Sequence, residues 1–354
     1  MESVFSGAYC TVAATAAADS YAGFLERNIN PEYIHIQNAS GKPFYISTDV
    51  DDFDIDVGDA RLNTRAWVMQ EQVLSRRTIY FSSNQIYWEC GEGVYCENLT
   101  QPSSPYTDRY FILDPSFPNR LLESGKGRTL NCISFLFQEY SKRNLTMPSD
   151  RSVAISGLVD PVADALDCHS AYGTFQKYFH RNLLWQASDG KMEEIAYDYH
   201  MPSWSWMAYS GGIQFLGVSL HDVDWVDHLQ FDKECNYAII ADLGRFHNCA
   251  MEPDGDHFVI LSLFTGREKG WIRYDVENGK DLGDERCFVI GRTEEYYKTT
   301  EERYGTMTEV YTPTEKYYIL VARPTSTSGE YRRVGIGLVN SDRIVKERLR
   351  VQLV

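Results

Sequence analysis

No apolar run in the sequence approaches the roughly 20 residues that a membrane-spanning helix needs, so no membrane span is expected. Positive charge is also in deficit. Lys and Arg number 34 against 50 Asp and Glu, a net charge of 34 − 50 = −16. Such a chain repels phosphate backbones, which argues against nucleic acid as a partner. A Gly-rich phosphate loop, a G-x-S-x-G elbow and an H-E-x-x-H run are all missing, against nucleotide hydrolysis, serine hydrolysis and zinc proteolysis. The eight cysteines lack paired spacing. Cys90 and Cys96 have no second pair at zinc spacing, and His221, His228, His247 and Cys249 supply no matching set, so neither a metal nor a cofactor is expected. Cys90 beside Glu89 is not an activated thiolate, because a neighbouring carboxylate raises a thiol's pKa. Cys168 and His169 are adjacent, and neighbours on a helix point apart. The stretch Ala13 to Ala18 lacks the basic flank of a signal peptide, and with scattered thiols this predicts a cytoplasmic protein with reduced cysteines.

What is present is a globular composition, 43% hydrophobic, long enough for one large domain or two. Aromatic content is 14%, with 24 Tyr, which suits a β-rich fold with aromatic-lined cavities. The most patterned stretch runs from Leu62 to Cys90. Asn63 or Thr64 can cap a helix in which Ala66, Trp67, Val73 and Leu74 form one stripe, with Gln70 inside it and Glu71 at its edge. Two β-rich runs, Thr78–Phe81 and Gln85–Cys90, then form a hairpin. In the second, Ile86, Trp88 and Cys90 share one face, and Gln85, Tyr87 and Glu89 the other.

The rest of the chain alternates in class. Ile34–Ile36 and Phe44–Ile46 read as strands about a turn, Asp49–Asp59 as a solvated acidic loop, and Pro102–Pro118 as an irregular connection. Asn131–Asn144 and Ala154–Ala165 read as helices, the latter capped by Ser149 or Asp150, and Tyr172–Trp185 continues the helical region. Pro202–Trp206 reads as a strand with Trp204 and Trp206 on one face. Beyond it strands are expected at Tyr237–Leu243, His257–Phe264, Gly270–Asp275, Arg286–Gly291, Tyr317–Arg323 and Arg332–Val339, with Ile344–Leu353 a closing strand or short helix.

Arg65-Ala66-Trp67, Gln70-Glu71, Leu74-Ser75, Arg77 and Trp88-Glu89-Cys90 match in order the C-terminal pattern of fungal heterokaryon-incompatibility (HET) domain proteins, which this chain resembles. Tyr140, Ser141, Arg143, Leu145, Thr146, Pro148, Asp150, Ala154 and Ser156-Gly157-Leu158 match a second family segment, and Pro202–Trp206 and Tyr331–Gly337 two more. The opening segment resembles the end of the HET domain proper. The resemblance implies that the preceding α/β part, related in the family to folds some of which cleave NAD, is missing here; a natively shortened N-terminus is expected, with a clipped gene model as the alternative, and NAD cleavage is expected to be absent.

The expected fold is α+β: N-terminal helices in roughly residues 1–25, 60–75 and 130–185 packed on a β-rich, sandwich-like or barrel-like remainder. The expected division is a HET-like helical and hairpin region, 1–200, and a β-rich region, 201–354, or the two as one continuous domain. Gln70, Glu71 and Glu89 are the candidate catalytic residues and Trp67, Trp88, Trp204 and Trp206 the candidate substrate-binding walls, with a pocket expected where the two signatures meet; the competing reading is that they pin the helix to the hairpin and fill the core. Aromatic walls without a cofactor motif favour a cofactor-independent cyclisation catalyst of secondary metabolism, pericyclic or Diels–Alder in type, acting on a small apolar molecule. Incompatibility or immunity, and a non-catalytic binding module, are the alternatives.

Overall fold

The computed structural model describes residues 2–27, 33–47, 52–97, 101, 117–118, 122–123, 125–190, 192–227, 229–231, 238–276, 281–303 and 306–354. Most of the expected connection Pro102–Pro118, and Asp49 to Asp51, lie outside them. Helix accounts for 26% and strand for 40%, a mixed α and β architecture containing a closed five-stranded barrel. Two compact units divide it, Met1–Leu166 and Asp167–Val354. The division falls before residue 200 because Trp185–Ala187 is already a strand partner of Ile213–Phe215.

The first unit opens with α1 (Glu2–Gly7) and β1 (Thr11–Ala13), followed by the hairpin β2 (Tyr33–Gln37) and β3 (Pro43–Ser47). A single π turn at Asp54–Gly58 leads to α2 (Ala66–Leu74), then β4 (Arg77–Phe81), β5 (Ile86–Cys90), β6 (Gly93–Cys96), α3 (Lys126–Ser141) and α4 (Arg151–Leu166). The sheet order is β1-β4-β5-β6, with β1 parallel to β4. Neither Asn63 nor Thr64 caps α2. The amide of Ala66 donates instead to the carbonyl of Asn144 at 2.9 Å. Asn63 turns inward, its amide on the Val57 carbonyl and its oxygen accepting from Gln72. Likewise no Ser149 or Asp150 cap starts α4; a 3₁₀ turn over Pro148–Asp150 runs directly into it.

The buried face of α2 is Ala66, Val68, Met69, Gln70 and Val73, so Trp67 and Leu74 are half-buried rather than central. In β5 the interior face is Gln85, Tyr87 and Glu89, while Ile86, Trp88 and Cys90 are half-buried. The reason is packing beneath the sheet. Tyr80 and Tyr87 both stand edge-on to buried Phe53, with ring centroids 5.6 and 5.2 Å away. The acidic stretch takes part: Asp56 accepts from the Tyr87 hydroxyl at 2.8 Å and the Asn84 amide at 2.6 Å, so it is more than a solvated loop.

In the second unit, short ribbons precede a large sheet. They are β7 (Ser170–Ala171), β8 (Thr174–Phe175), β9 (Trp185–Ala187), β10 (Glu193–Glu194), β11 (Tyr209–Ser210), β12 (Ile213–Phe215), β13 (Asp224–Trp225) and β14 (Gln230–Phe231). Only a 3₁₀ turn and α5 (Phe179–Asn182) remain of the helix expected over Tyr172–Trp185. The sheet holds β15 (Ile239–Phe246), β16 (Cys249–Asp254), β17 (His257–Ser262), β18 (Glu268–Tyr274), β19 (Arg286–Arg303), β20 (Thr306–Pro324), β21 (Glu330–Asn340) and β22 (Ile344–Leu353). Strands β15, β19, β20, β21 and β22 form the ring, closed by a short parallel pairing of Glu330 with Gln352 and Tyr331 with Leu353.

One cluster draws on all five ring strands, with Ile239, Phe288, Leu320, Ile336 and Leu353 among its members. Side chains from every strand of a ring can meet only inside it, so this cluster fills the barrel. Phe179, Leu183 and Trp204 complete it. On the opposite face of β18 to β21 lies a second cluster, including Ile260, Ile272, Cys287, Ile319, Val321 and Val339. Burial on both faces explains the unbroken apolar run from Tyr317 to Ala322.

Candidate functional site

The predicted site residues divide between the units. In the first, Gln70 points from α2 at α4: a Cβ added to Gly157 would lie 1.6 Å from its amide nitrogen. Its Oε1 is enclosed without a hydrogen-bond partner among the described residues. Glu71 is half-buried, and burial pushes its carboxyl above the usual range while Arg65 pulls it back. Glu89 is buried and accepts from the Tyr80 hydroxyl, whose own pKa is driven up by burial and then by the Glu89 charge. These two groups, with Asn63, Gln72, Glu139 and Arg143, line a cavity of about 50 Å³. That is room for a few waters and not for an organic substrate. Gln72, not Gln70, is the amide that faces it: it donates to Asn63 at 3.0 Å and accepts from Arg143 at 3.1 Å. The pattern of apolar neighbours that singled out Gln70 marks the helix side that meets Gly157, whereas the cavity is lined from α2 by Met69 and Gln72.

In the second unit, Trp204 and Trp206 are fully buried and do not share a strand face. Residues 202–205 form a turn that enters a 3₁₀ helix at Trp206. Ser205 caps it, accepting from the Met207 amide at 3.0 Å and donating to the Tyr172 carbonyl at 2.7 Å. The indole of Trp206 donates to the Gly173 carbonyl, and Gly173, at φ 74°, leaves the ring space: a Cβ there would sit 2.5 Å from the indole nitrogen. Trp204 packs in the barrel core, edge-on to Tyr172 at 5.8 Å, and its carbonyl accepts from the Trp185 indole. Both are core rings, Trp206 tied through its indole nitrogen and Trp204 through its backbone carbonyl.

A group that sequence reasoning did not single out surrounds Trp185. Arg333 of β21 is completely buried and forms a two-pronged pair with Asp275, at 2.9 Å from Nε and 3.1 Å from Nη2. It also donates to the carbonyls of Leu183 at 2.7 Å and Trp185 at 2.5 Å, and its guanidinium carbon lies 3.5 Å from the Trp185 ring centroid. Burial pushes the Asp275 carboxyl upward and the Arg333 charge pulls it back. Nearby, Arg323 grips Glu285 through Nε and Nη2, and the Tyr274 hydroxyl donates to the same carboxylate.

Above this floor opens a cleft of about 480 Å³, walled by Met192, Tyr209, Val276, Val334 and the Arg332–Glu194 pair. A second cavity of about 240 Å³, reaching His200 and Met201, shares Glu194, Tyr209 and Arg332 with it. Those three residues thus stand between the two spaces. Arg332 is 42% and Glu194 54% exposed, against 0% and 2% for Arg333 and Asp275. The upper pair is therefore solvated and displaceable while the lower is fixed. Tyr209, in turn, is buried against Trp185 at 5.6 Å, and burial followed by the Asp275 charge keeps its phenol protonated. The sequence signal was present in Tyr331-Arg332-Arg333-Val334, two consecutive charges in a run of strand residues; their acidic partners lie far away in sequence.

Among the described residues no group of three or more His, Cys, Asp or Glu could hold a metal ion, and no helix is long and apolar enough to cross a membrane. Comparison with protein-family models, with curated proteins and with solved structures finds no match.

Proposed function

We propose that the protein is a HET-like cytoplasmic catalyst of intramolecular ring closure on a small organic molecule, and that the substrate occupies the cleft of the second unit. The observation that carries this reading is the pair of adjoining cavities that share Tyr209 and the solvated Arg332–Glu194 pair as lining. A space of this size encloses a small molecule and can restrict it to a near-attack conformer. Arg332, released from Glu194, supplies donors to a carbonyl on which charge develops, and the Tyr209 hydroxyl, which donates to the Ser203 carbonyl at 3.3 Å, adds a second only by turning from that oxygen. Met192, Val276 and Val334 give the cleft an apolar patch within a lining otherwise made of Glu193, Glu194, Asp275, Tyr209 and three arginines, so the substrate pairs an apolar part with polar groups. A pericyclic closure needs no more than this orientation and polarisation. The same cleft also supports a second reading, a binding module without turnover, because Arg323 and Arg333 are already committed to Glu285 and Asp275.

The test begins with loss of the gene in its source organism and comparison of extracted metabolites. Ring closure of this kind conserves mass, so the expected outcome is loss of a cyclic product and gain of an isomeric precursor. Purified protein should convert that precursor, and Arg332→Met should lower turnover by about 10²-fold without changing the melting temperature. Unchanged extracts would refute a biosynthetic role. Binding of the precursor without conversion would leave the binding module.

A further inference from the structure

We infer that a separate face of the second unit, formed by Gln186, Gln214, Asp256, His257, Trp271 and Arg273, is a binding site for a neutral saccharide. These six side chains line an open depression of about 330 Å³. Its construction starts from strand pairing. Gln186 of β9 and Gln214 of β12 are register partners. Trp185, Ala187 and Ile213 on either side of them are buried, so both amides project from the opposite face, side by side. Among the described residues neither amide has a protein hydrogen-bond partner, so each presents a donor and an acceptor outward.

The other wall is a carboxylate held in place from behind. Asp256 lies at the tip of the β16–β17 hairpin, where Asp254 pairs with His257 across Gly255. Arg273 Nη2 reaches its Oδ2 at 2.9 Å and His257 Nδ1 its Oδ1 at 3.2 Å. Arg273 is only 12% exposed while Asp256 is 65% exposed, so the guanidinium anchors and the carboxylate is offered to solvent. Trp271 lies beside them on β18, half-buried and edge-on to the His257 ring at 6.3 Å.

Two free amides and an oriented carboxylate match vicinal hydroxyls, each of which donates and accepts at once. A flat indole matches the C–H face of a pyranose ring. Charge selects among polar ligands: Arg273 offsets Asp256, so an anion meets the exposed carboxylate and a cation meets no uncompensated negative charge. The openness of the depression suits one residue of a longer glycan. This site shares no lining residue with the cleft proposed for catalysis, and the inference stands independently of that reading.

Saturation-transfer NMR on the full chain with a panel of neutral mono- and disaccharides, together with glucuronate and glucosamine, tests it. The expected result is transfer to the ring C–H protons of at least one neutral sugar. Trp271→Leu should weaken that affinity by up to about tenfold. Gln214→Ala, at a solvent-facing position, should lower it severalfold with unchanged melting; it decides the matter should the Trp271 variant not fold, since that ring also packs on the barrel core. Absence of transfer to every neutral sugar, transfer unaffected by Gln214→Ala, or preference for the charged sugars would each overturn the proposal.

Discussion

The two tryptophan-bearing signatures of this chain solve opposite packing problems. In the first unit, Trp67 and Trp88 are half-buried while Glu89, Gln70 and two tyrosines occupy the interior. In the second, Trp185, Trp204 and Trp206 are completely enclosed, and the charged groups buried beside Trp185 are Arg333 and its partner Asp275. In the first interior two carboxylates are met by rings that bring their own donors, Tyr80 serving Glu89 and Tyr87 serving Asp56, while the Gln70 oxygen has no partner among the described residues. The second tolerates a full charge because one guanidinium finds a carboxylate, two carbonyls and an indole face together. Hydrophobicity alone does not decide which face of a strand goes inside; ring packing beneath the sheet and the supply of partners for its polar groups act with it.

The sharpest way to break this contrast is at Arg333. Arg333→Met strands Asp275 in the interior and should cost about 3–5 kcal/mol. Adding Asp275→Leu should recover most of it; denaturant unfolding followed by tryptophan fluorescence measures both. A direct comparison of the rings comes next. Trp204→Ala should cost about 3–5 kcal/mol as a core truncation, whereas Trp88→Ala should cost about 1–2 kcal/mol. Equal losses would mean that the exposure difference has no energetic meaning. Within the first unit, Gly157→Ala drives a methyl into the Gln70 amide and should cost about 1–3 kcal/mol. Pairing it with Gln70→Ala should give a coupling energy of opposite sign in a double-mutant cycle.

The smallest effect is expected from pH. His180 contacts the Val226 carbonyl at 2.7 Å, and burial holds its pKa below the usual value, with that hydrogen bond and Asp227 opposing. A histidine whose folded pKa is depressed stabilises the fold fully above its unfolded value of about 6.5. As pH falls from there through the folded pKa, the unfolded chain takes up the proton first and stability declines. Denaturation midpoints of the second unit should drop slightly over that interval, and His180→Gln should remove that component of the slope.

Much of the barrel was legible in the sequence. Alternation and β-branched content marked the strands at Tyr237–Leu243, His257–Phe264, Gly270–Asp275 and Arg332–Val339 to within a few residues, and β2 and β3 likewise, whereas Arg286–Gly291 and Tyr317–Arg323 caught only parts of the much longer β19 and β20, and Ile344–Leu353, read as a strand or short helix, is a strand. What alternation cannot express was missed. Trp204 and Trp206 sit two apart, as on a strand, but Pro202 and the Ser205 cap make a turn of them. Trp88 and Ile86 share a face, as read, but the ring of Phe53 draws the other face inward. The cleft was illegible for a different reason: Arg333 meets Asp275 across 58 positions, and the carbonyls it serves lie about as remote as 150. Single residues carry no trace of such pairings, whereas a local feature such as the Asn-Ala-Ser-Gly turn does.

The parallel pairing of β21 with β22 joins the ring through two register pairs, with the amides of Gln352 and Val354 reaching the carbonyls of Gly329 and Tyr331. Every other junction of the ring is longer, so this is its latch. Arg332 and Arg333 follow Tyr331 directly, and Ser203 ties the amide of Arg333 to the carbonyl of Val354. Unlatching would therefore loosen the floor of the cleft in the same movement. Amide hydrogen exchange should be faster at Gln352 and Val354 than at Ile319 or Leu320, and a molecule lodged in the cleft should slow it, making the seam a built-in reporter of occupancy.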